Sequence, residues 1–309
     1  MKIITGTGMK YKGKYNKYAF KILRNMDTNI LTKKIETQPT KSEKQAEVRN
    51  AFSTACHNLK LNRLTDPPYW YNQAKKNKLP PINELFRFFL PLYRMKPELL
   101  LTFTQMSDND FQDDVNELIR YTPDKTEIEF TEQGKAFAVF KDNFSQLTTN
   151  VNLRQQTDEL TIVAAIRTPE RPVNPEYDIV FKYWCWDLYT YRKDGKYILM
   201  AFIMENNWKG ETLKLDAELK NSSDYIIIFR VKPDTQTLCL NGETVKTTHN
   251  DITLRKDTSG EVIIDPGWWS GGTNNARCYF FALFERYITD DEVKRLNEII
   301  KKTYSIKEA

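Results

Sequence analysis

A chain of 309 residues with 40% hydrophobic and 13% aromatic content has the length for two ordinary domains and the apolar surface for packed cores, which excludes an intrinsically disordered protein. No window approaches the roughly 18 consecutive apolar residues of a membrane helix, and the opening "MKIITGTGMKYKGKY" lacks the apolar segment of a signal peptide, so the expectation is a soluble chain, not classically secreted and without a membrane partner. The net charge of +5 hides an asymmetry: residues 1–95 hold 19 Lys and Arg against 6 Asp and Glu, the remainder 27 against 35, so the first part is either a solvated basic face or suited to an acidic partner, protein or nucleic acid.

The first residues alternate aromatic or aliphatic with Lys ("MKYKGKYNKYAFKILR"), a period near two that predicts one or two exposed strands. Residues 25–41 carry little periodicity and read as an extended connector. Ser42 with Gln45 forms a capping box before a helix with Val48, Ala51, Phe52, Ala55 and Leu59 on one face. Asp66 and Pro67 start a second helix with Trp70 and Ala74 inward, and Ile82, Leu85, Phe86 and Phe89 mark a third that Pro91 is expected to stop.

From about Thr126 the pattern changes to short strands separated by turn chemistry: "TEIEF", "KAFAVF", "ELTIVAAIR", "DIVFKYWCWDLYTY", "KYILMAFIM", "SDYIIIFRV", "TQTLCL", "ETVKT", "EVIID" and "RCYFFALFER". Asp194-Gly195 and Asn241-Gly242 suit the φ > 0 positions of type I′ hairpin turns. So many strands without βαβ alternation predict an antiparallel sandwich. In the last strand Cys278, Phe280, Ala282 and Phe284 alternate with Tyr279, Phe281 and Leu283, so both faces need cover. Thr289 and Glu292 form a capping box, and the helix they open offers Val293, Leu296, Ile299 and Ile300 to cover one of those faces or a sheet edge.

Chemistry is sparse. Cys56, Cys185, Cys239 and Cys278 contain no C-x-x-C and read as reduced buried thiols, with a Cys239–Cys278 bridge between neighbouring strands left open. Gly8 to Tyr15 nearly spell a phosphate loop, but Tyr15 replaces the Mg²⁺-binding hydroxyl residue and no helix follows, so no nucleotide cofactor is expected. Two histidines, His57 and His249, make no metal motif, and neither a Ser/His/Asp set nor an E-x-D-x-x-E strand is present; the reading is a non-enzyme without cofactor or metal. "DPGWWSGGTNN" is the most suggestive binding segment. Trp268 and Trp269 stand beside Ser270, Asn274 and Asn275, and flat rings stack on sugar faces. The alternative is that both tryptophans pack under their loop or against a subunit.

"FALFERYIT" followed by "DDEVKRL", after the hairpin "TLCLNGETV", resembles the C-terminal part of laminin G-like and concanavalin A-like jelly rolls, over roughly residues 124–309. Gln45, Arg49 and Phe52, with Trp70 after them, resemble a pattern of tailed-phage virion proteins over about residues 5–95. Together the arrangement is similar to head-fibre and capsid decoration proteins of crAss-like Bacteroides phages.

The combined expectation is an α+β, mainly β chain: a basic attachment segment over 1–41, helices and a linker over 42–123, and a jelly-roll sandwich with its capping helix over 124–309. The resemblance implies a virion protein, made in the host cytoplasm, that docks through Tyr11, Tyr15 and Phe20 on capsid or other virion proteins. It assembles as a homodimer or homotrimer and displays a lectin-like module to host glycans. A bacterial carbohydrate-binding protein outside any virion is the alternative. Nucleic acid is disfavoured because no reading module is recognisable.

Overall fold

The computed structural model describes residues 14–15, 18–22, 29–33, 46, 49–50, 53, 74–103, 106–107, 110–111, 126–130, 136–140, 147–148, 153–168, 177–183, 186–194, 196–203, 213–256, 259–260, 262–265 and 276–306. By compactness the chain divides into Met1–Ala46 and Glu47–Ala309. The first unit contains an antiparallel sheet of β1 (Lys14–Tyr15), β2 (Tyr18–Ile22) and β3 (Asn29–Lys33), in which Phe20 pairs with Leu31. The third strand corrects the sequence expectation of a connector over 25–41. "NILTK" is too short to show a period, yet it pairs with β2 along its whole length.

In the second unit, helix α1 (Pro81–Arg94) starts with proline at its first position and runs through Pro91. The expected stop at Pro91 is therefore wrong. Interrupting the hydrogen-bond ladder costs about 3 kcal/mol, but Leu92, Tyr93 and Met95 just beyond are buried in the core, and each contributes roughly 1.5–3 kcal/mol by leaving water.

Two sheets follow. β4 (Leu99–Leu101) and the two-residue strands β5 (Met106–Ser107) and β6 (Asp110–Phe111) precede β7 (Thr126–Phe130), β8 (Ala136–Phe140), β9 (Leu147–Thr148) and β10 (Leu153–Arg154). Then come β11 (Leu160–Arg167), β12 (Tyr177–Tyr183), β13 (Trp186–Lys193), β14 (Lys196–Ile203), β15 (Leu213–Leu219), β16 (Asp224–Lys232), β17 (Thr235–Leu240) and β18 (Glu243–Thr248). β19 (Ser259–Gly260), β20 (Ile263–Asp265), β21 (Ala276–Phe284) and helix α2 (Asp290–Tyr304) complete the unit. The eight-stranded sheet runs β18-β17-β16-β11-β21-β8-β7 with β4 also on β21, and the six-stranded sheet runs β15-β14-β13-β12-β20-β9. The strands pair antiparallel throughout both sheets.

The run "DIVFKYWCWDLYTY", read above as one strand, is two: Tyr183 of β12 faces Trp186 of β13 in an antiparallel pair. β4 and β15 were not anticipated at all. The predicted hairpin turns are present: Lys193 faces Lys196 with Asp194 at φ 51°, and Asn241 and Gly242 lie at φ 52° and 91°. Asn241 also ties its turn to β16 through its side chain, whose Oδ1 accepts from the Ile226 amide at 2.9 Å.

The sheets meet at aromatic contacts. Phe281 stacks on Phe181 with centroids 5.2 Å apart and lies 6.3 Å from Trp186. β11, β16 and β21 are buried on both faces, which is why they read as near-continuous apolar runs. The strict alternation expected for β21 is broken by a bulge. Ala165 faces Phe280 while Ile166 faces Cys278, leaving Tyr279 as the extra residue. Tyr279 and Phe280 consequently both approach Tyr304 of α2, at 6.0 and 6.4 Å. Cys239 and Cys278 are free and buried. Their strands are separated by β16 and β11, roughly three strand spacings or about 14 Å, which corrects the bridge between neighbours.

α2 begins with the predicted capping box: Thr289 accepts from the Glu292 amide and Glu292 from the Thr289 amide. Val293, Leu296, Ile300 and Tyr304 are buried against the outer face of the eight-stranded sheet, and the Tyr304 hydroxyl donates to the Thr102 carbonyl at 2.7 Å. What fixes the helix is a polar row, Thr161–Arg230–Thr237, aligned across β11, β16 and β17. Thr161 Oγ1 donates to the Arg286 carbonyl and accepts from the Ile288 amide. The buried Arg230 donates to Thr237 Oγ1, the Ile288 carbonyl and Asp290 at 3.0, 3.0 and 2.7 Å, and lies over the Tyr287 ring. The segment entering the helix thus finds partners for its backbone although it crosses a buried surface.

Candidate functional site

The predicted loop residues Trp268, Trp269, Ser270, Asn274 and Asn275 lie outside the described residues, as does Tyr11; Tyr15 and Phe20 fall on β1 and β2. The strands on either side give the loop its address. It follows Asp265 of β20 in the six-stranded sheet and precedes Ala276 of β21 in the eight-stranded sheet, so residues 266–275 join the two sheets.

The outer face of the six-stranded sheet carries a feature that sequence reading missed. Period-two alternation sends Trp186, Leu188 and Thr190 of β13 and Tyr197, Leu199, Ala201 and Ile203 of β14 inward, where all are buried. The outward positions would be polar on an ordinary solvated face. Here, beyond the exposed Lys193 and Lys196 beside the hairpin turn, they are Asp187, Tyr189 and Tyr191 on β13 and Ile198, Met200 and Phe202 on β14, half-buried except the buried Met200. The rings of Tyr189 and Tyr191 lie 6.0 Å apart, tilted by 53°. "WDLYTYRK" does show the alternation, but both of its faces are aromatic, so the sequence does not tell which one turns inward.

Charged groups border the strip in pairs. Tyr189 faces Met200, which faces Asp216 of β15; Tyr191 faces Ile198, which faces Glu218. Asp216 is ion-paired with Lys246 of β18, whose hydrogen bond holds its carboxyl below the usual range. Glu218 accepts from Lys196 at 2.8 Å, which raises the pKa of that lysine. The Asp216–Lys246 pair also ties the edge of one sheet to the edge of the other. β18 is a poor docking edge: Val245, 47% exposed, is the extra residue of a bulge between the Leu238–Lys246 and Cys239–Thr244 pairs.

The register aligns Tyr189 with β12 and β20. Tyr189 faces Val180 of β12, and Val180 faces Asp265, the residue just before residues 266–275. One straight row, Asp265–Val180–Tyr189–Met200–Asp216, therefore crosses five strands, about 19 Å at the usual spacing.

A buried polar cluster elsewhere is structural. Asp224 Oδ1 accepts from Arg167 at 3.1 Å and from the Tyr279 hydroxyl at 2.9 Å. Burial, then the neighbouring Asp224 charge, pushes the Tyr279 phenol well above its ordinary range, so it stays a hydrogen-bond donor. Among the described residues no group of three His, Cys, Asp or Glu side chains is placed to hold a metal ion.

This architecture defines a class: a two-sheet antiparallel β-sandwich closed by a C-terminal helix. The chain matches no protein-family model and no curated protein. Solved structures share the fold. The binding domain of Paraclostridial Mosquitocidal Protein 1 is 17% identical with a TM-score of 0.50, over 64% of this chain and 51% of that one. The botulinum neurotoxin serotype D ligand binding domain, in complex with N-acetylneuraminic acid, is 11% identical with a TM-score of 0.50 over 66% and 51%. The binding domain of botulinum neurotoxin DC, in complex with rat synaptotagmin II, gives the same identity, TM-score and coverage. The match spans about half the length of each of these domains. At such identities the likeness is one of fold.

Proposed function

We propose that this chain is a non-catalytic binding protein whose sandwich engages a cell-surface receptor, glycan or protein. The observation that carries the reading is the half-buried aromatic strip of Tyr189, Tyr191 and Phe202 on a sheet face that would otherwise be polar. The shared fold with domains determined bound to N-acetylneuraminic acid and to synaptotagmin supports it.

The finer reading is a virion protein, a head fibre or capsid decoration. In it residues 1–41 attach through Tyr11, Tyr15 and Phe20 to other virion proteins, and the sandwich, which takes in α1 and β4 as well as residues 124–309, is displayed. It rests on the resemblance of Gln45, Arg49, Phe52 and Trp70 to phage virion proteins and on the basic charge of residues 1–95. Trp268, Trp269, Ser270, Asn274 and Asn275 extend the binding surface. A homodimer or homotrimer is the expected assembly.

Two measurements test this. Fluorescently labelled full chain should bind host cells, and Tyr189→Ala should weaken that binding while leaving the fold intact by circular dichroism; unaltered binding rejects the strip. Light scattering on the full chain should return a discrete dimer or trimer; a monomer rejects the fibre and leaves a free-standing binding protein.

A further inference from the structure

We propose that the outer face of the six-stranded sheet takes an uncharged sugar chain lying across the strands, stacked on Tyr189 and Tyr191. This rests on the binding reading above and specifies its ligand.

Three observations carry it. First, the outward residues of β13 and β14 offer flat, half-buried rings and aliphatic groups in one strip, with two rings 6.0 Å apart. One face of a pyranose presents only C–H groups, whose slight positive charge suits the negative face of an aromatic ring.

Second, two of the charges on the β15 margin, Asp216 and Glu218, are balanced within the chain. Asp216 is paired with Lys246, and Glu218 with Lys196. A charged sugar would have to compete with one member of such a pair. A hydroxyl need not compete, because it donates to a remaining carboxylate lone pair or accepts from an ammonium hydrogen. All four side chains keep substantial exposure, 39% for Lys246, 51% for Asp216, 60% for Lys196 and 57% for Glu218, so a ligand on the strip reaches them.

Third, the row Asp265–Val180–Tyr189–Met200–Asp216 gives a direct path across the sheet from β15 to β20. A chain of several sugar units spans that distance, whereas a single monosaccharide covers only part of it.

The test uses the full chain on an array of matched neutral, sialylated and sulfated oligosaccharides, read at low and at roughly tenfold higher salt. Expected are binding to neutral oligosaccharides, little change with salt, and a loss of roughly tenfold in affinity for Tyr189→Ala and for Tyr191→Ala. Tyr189→Phe, which keeps the ring, should bind like the parent. Binding confined to charged glycans, a steep fall with salt, or alanine variants equal to the parent would each overturn the inference. If the array stays silent while the protein still binds host cells after periodate oxidation of their glycans, the receptor is a protein: the sugar is wrong and the binding reading survives. If neither array nor cells are bound, both fall.

Discussion

Removing Arg230 tests whether α2 is held by hydrogen bonds from the sheet or by its surface ion pair. Arg230 is 2% exposed and bonds to Thr237, the Ile288 carbonyl and Asp290, but the Asp290 side chain is 79% exposed. In Asp290→Asn the guanidinium keeps its bonds to Ile288 and Thr237 and its place over Tyr287, so the cost should be about 1 kcal/mol or less. In Arg230→Ala the Ile288 carbonyl loses this donor at the entrance to the helix, a cost of about 1–3 kcal/mol. The lost packing of the long stem against Tyr287 adds about 1 kcal/mol. Together these give roughly 2–4 kcal/mol, far more than the ion pair alone. With an m-value of about 3 kcal/mol/M, the urea midpoint should fall by roughly 1 M. Urea unfolding of the full chain by tryptophan fluorescence measures this, and hydrogen exchange should show the loss concentrated in the amides of α2. Equal midpoints for Arg230→Ala and Asp290→Asn would refute the reasoning, because the exposed ion pair would then be the main anchor.

Other outcomes follow from the same geometry. Gly242→Ala should destabilise by about 1–3 kcal/mol, since its φ of 91° strains any side chain and a Cβ there would lie 2.7 Å from Asn297 Nδ2; an unchanged thermal midpoint contradicts the turn as described. Arg286, through its hydrogen bonds, holds the Glu292 carboxyl below its ordinary range. Its contribution is therefore complete above the unfolded value of about pH 4.3 and is lost as pH falls through the folded one. Glu292→Gln should be less stable than the parent at about pH 7, with the gap narrowing as pH falls below about 4.3; parallel curves would speak against the linkage. Burial pushes the Cys278 thiol far up and leaves both Cys239 and Cys278 inaccessible. Alkylation with mass mapping should label neither in the folded protein and both in denaturant, and rapid native labelling of either would contradict their burial.

Much of the sandwich was legible because its signals are local. Asn241-Gly242 specifies a hairpin through the φ > 0 preference of two adjacent residues, and Thr289 with Glu292 specifies a helix start within one turn. Pro91 was misjudged because a local cost is visible in sequence while the burial of Leu92 and Tyr93 that offsets it is not. "LKLDAEL" carries the period-two alternation of a half-buried strand, so its signal is local too and the reading above omits it. The tryptophan segment drew attention by composition. The tyrosine strip did not, because "WDLYTYRK" offers an aromatic residue to either side.

By itself, then, the sequence determined the antiparallel strands, their tight turns and the capped terminal helix, all set by residues within a few positions of one another. The tertiary structure alone decided that Thr161, Arg230 and Thr237 form one row beneath α2, that Tyr279 is a bulge, and that Tyr189 aligns with Asp265 and Asp216. Each of these depends on the register between strands, and a one-residue slip, which no local signal forbids, would turn every side chain of a strand to its opposite face.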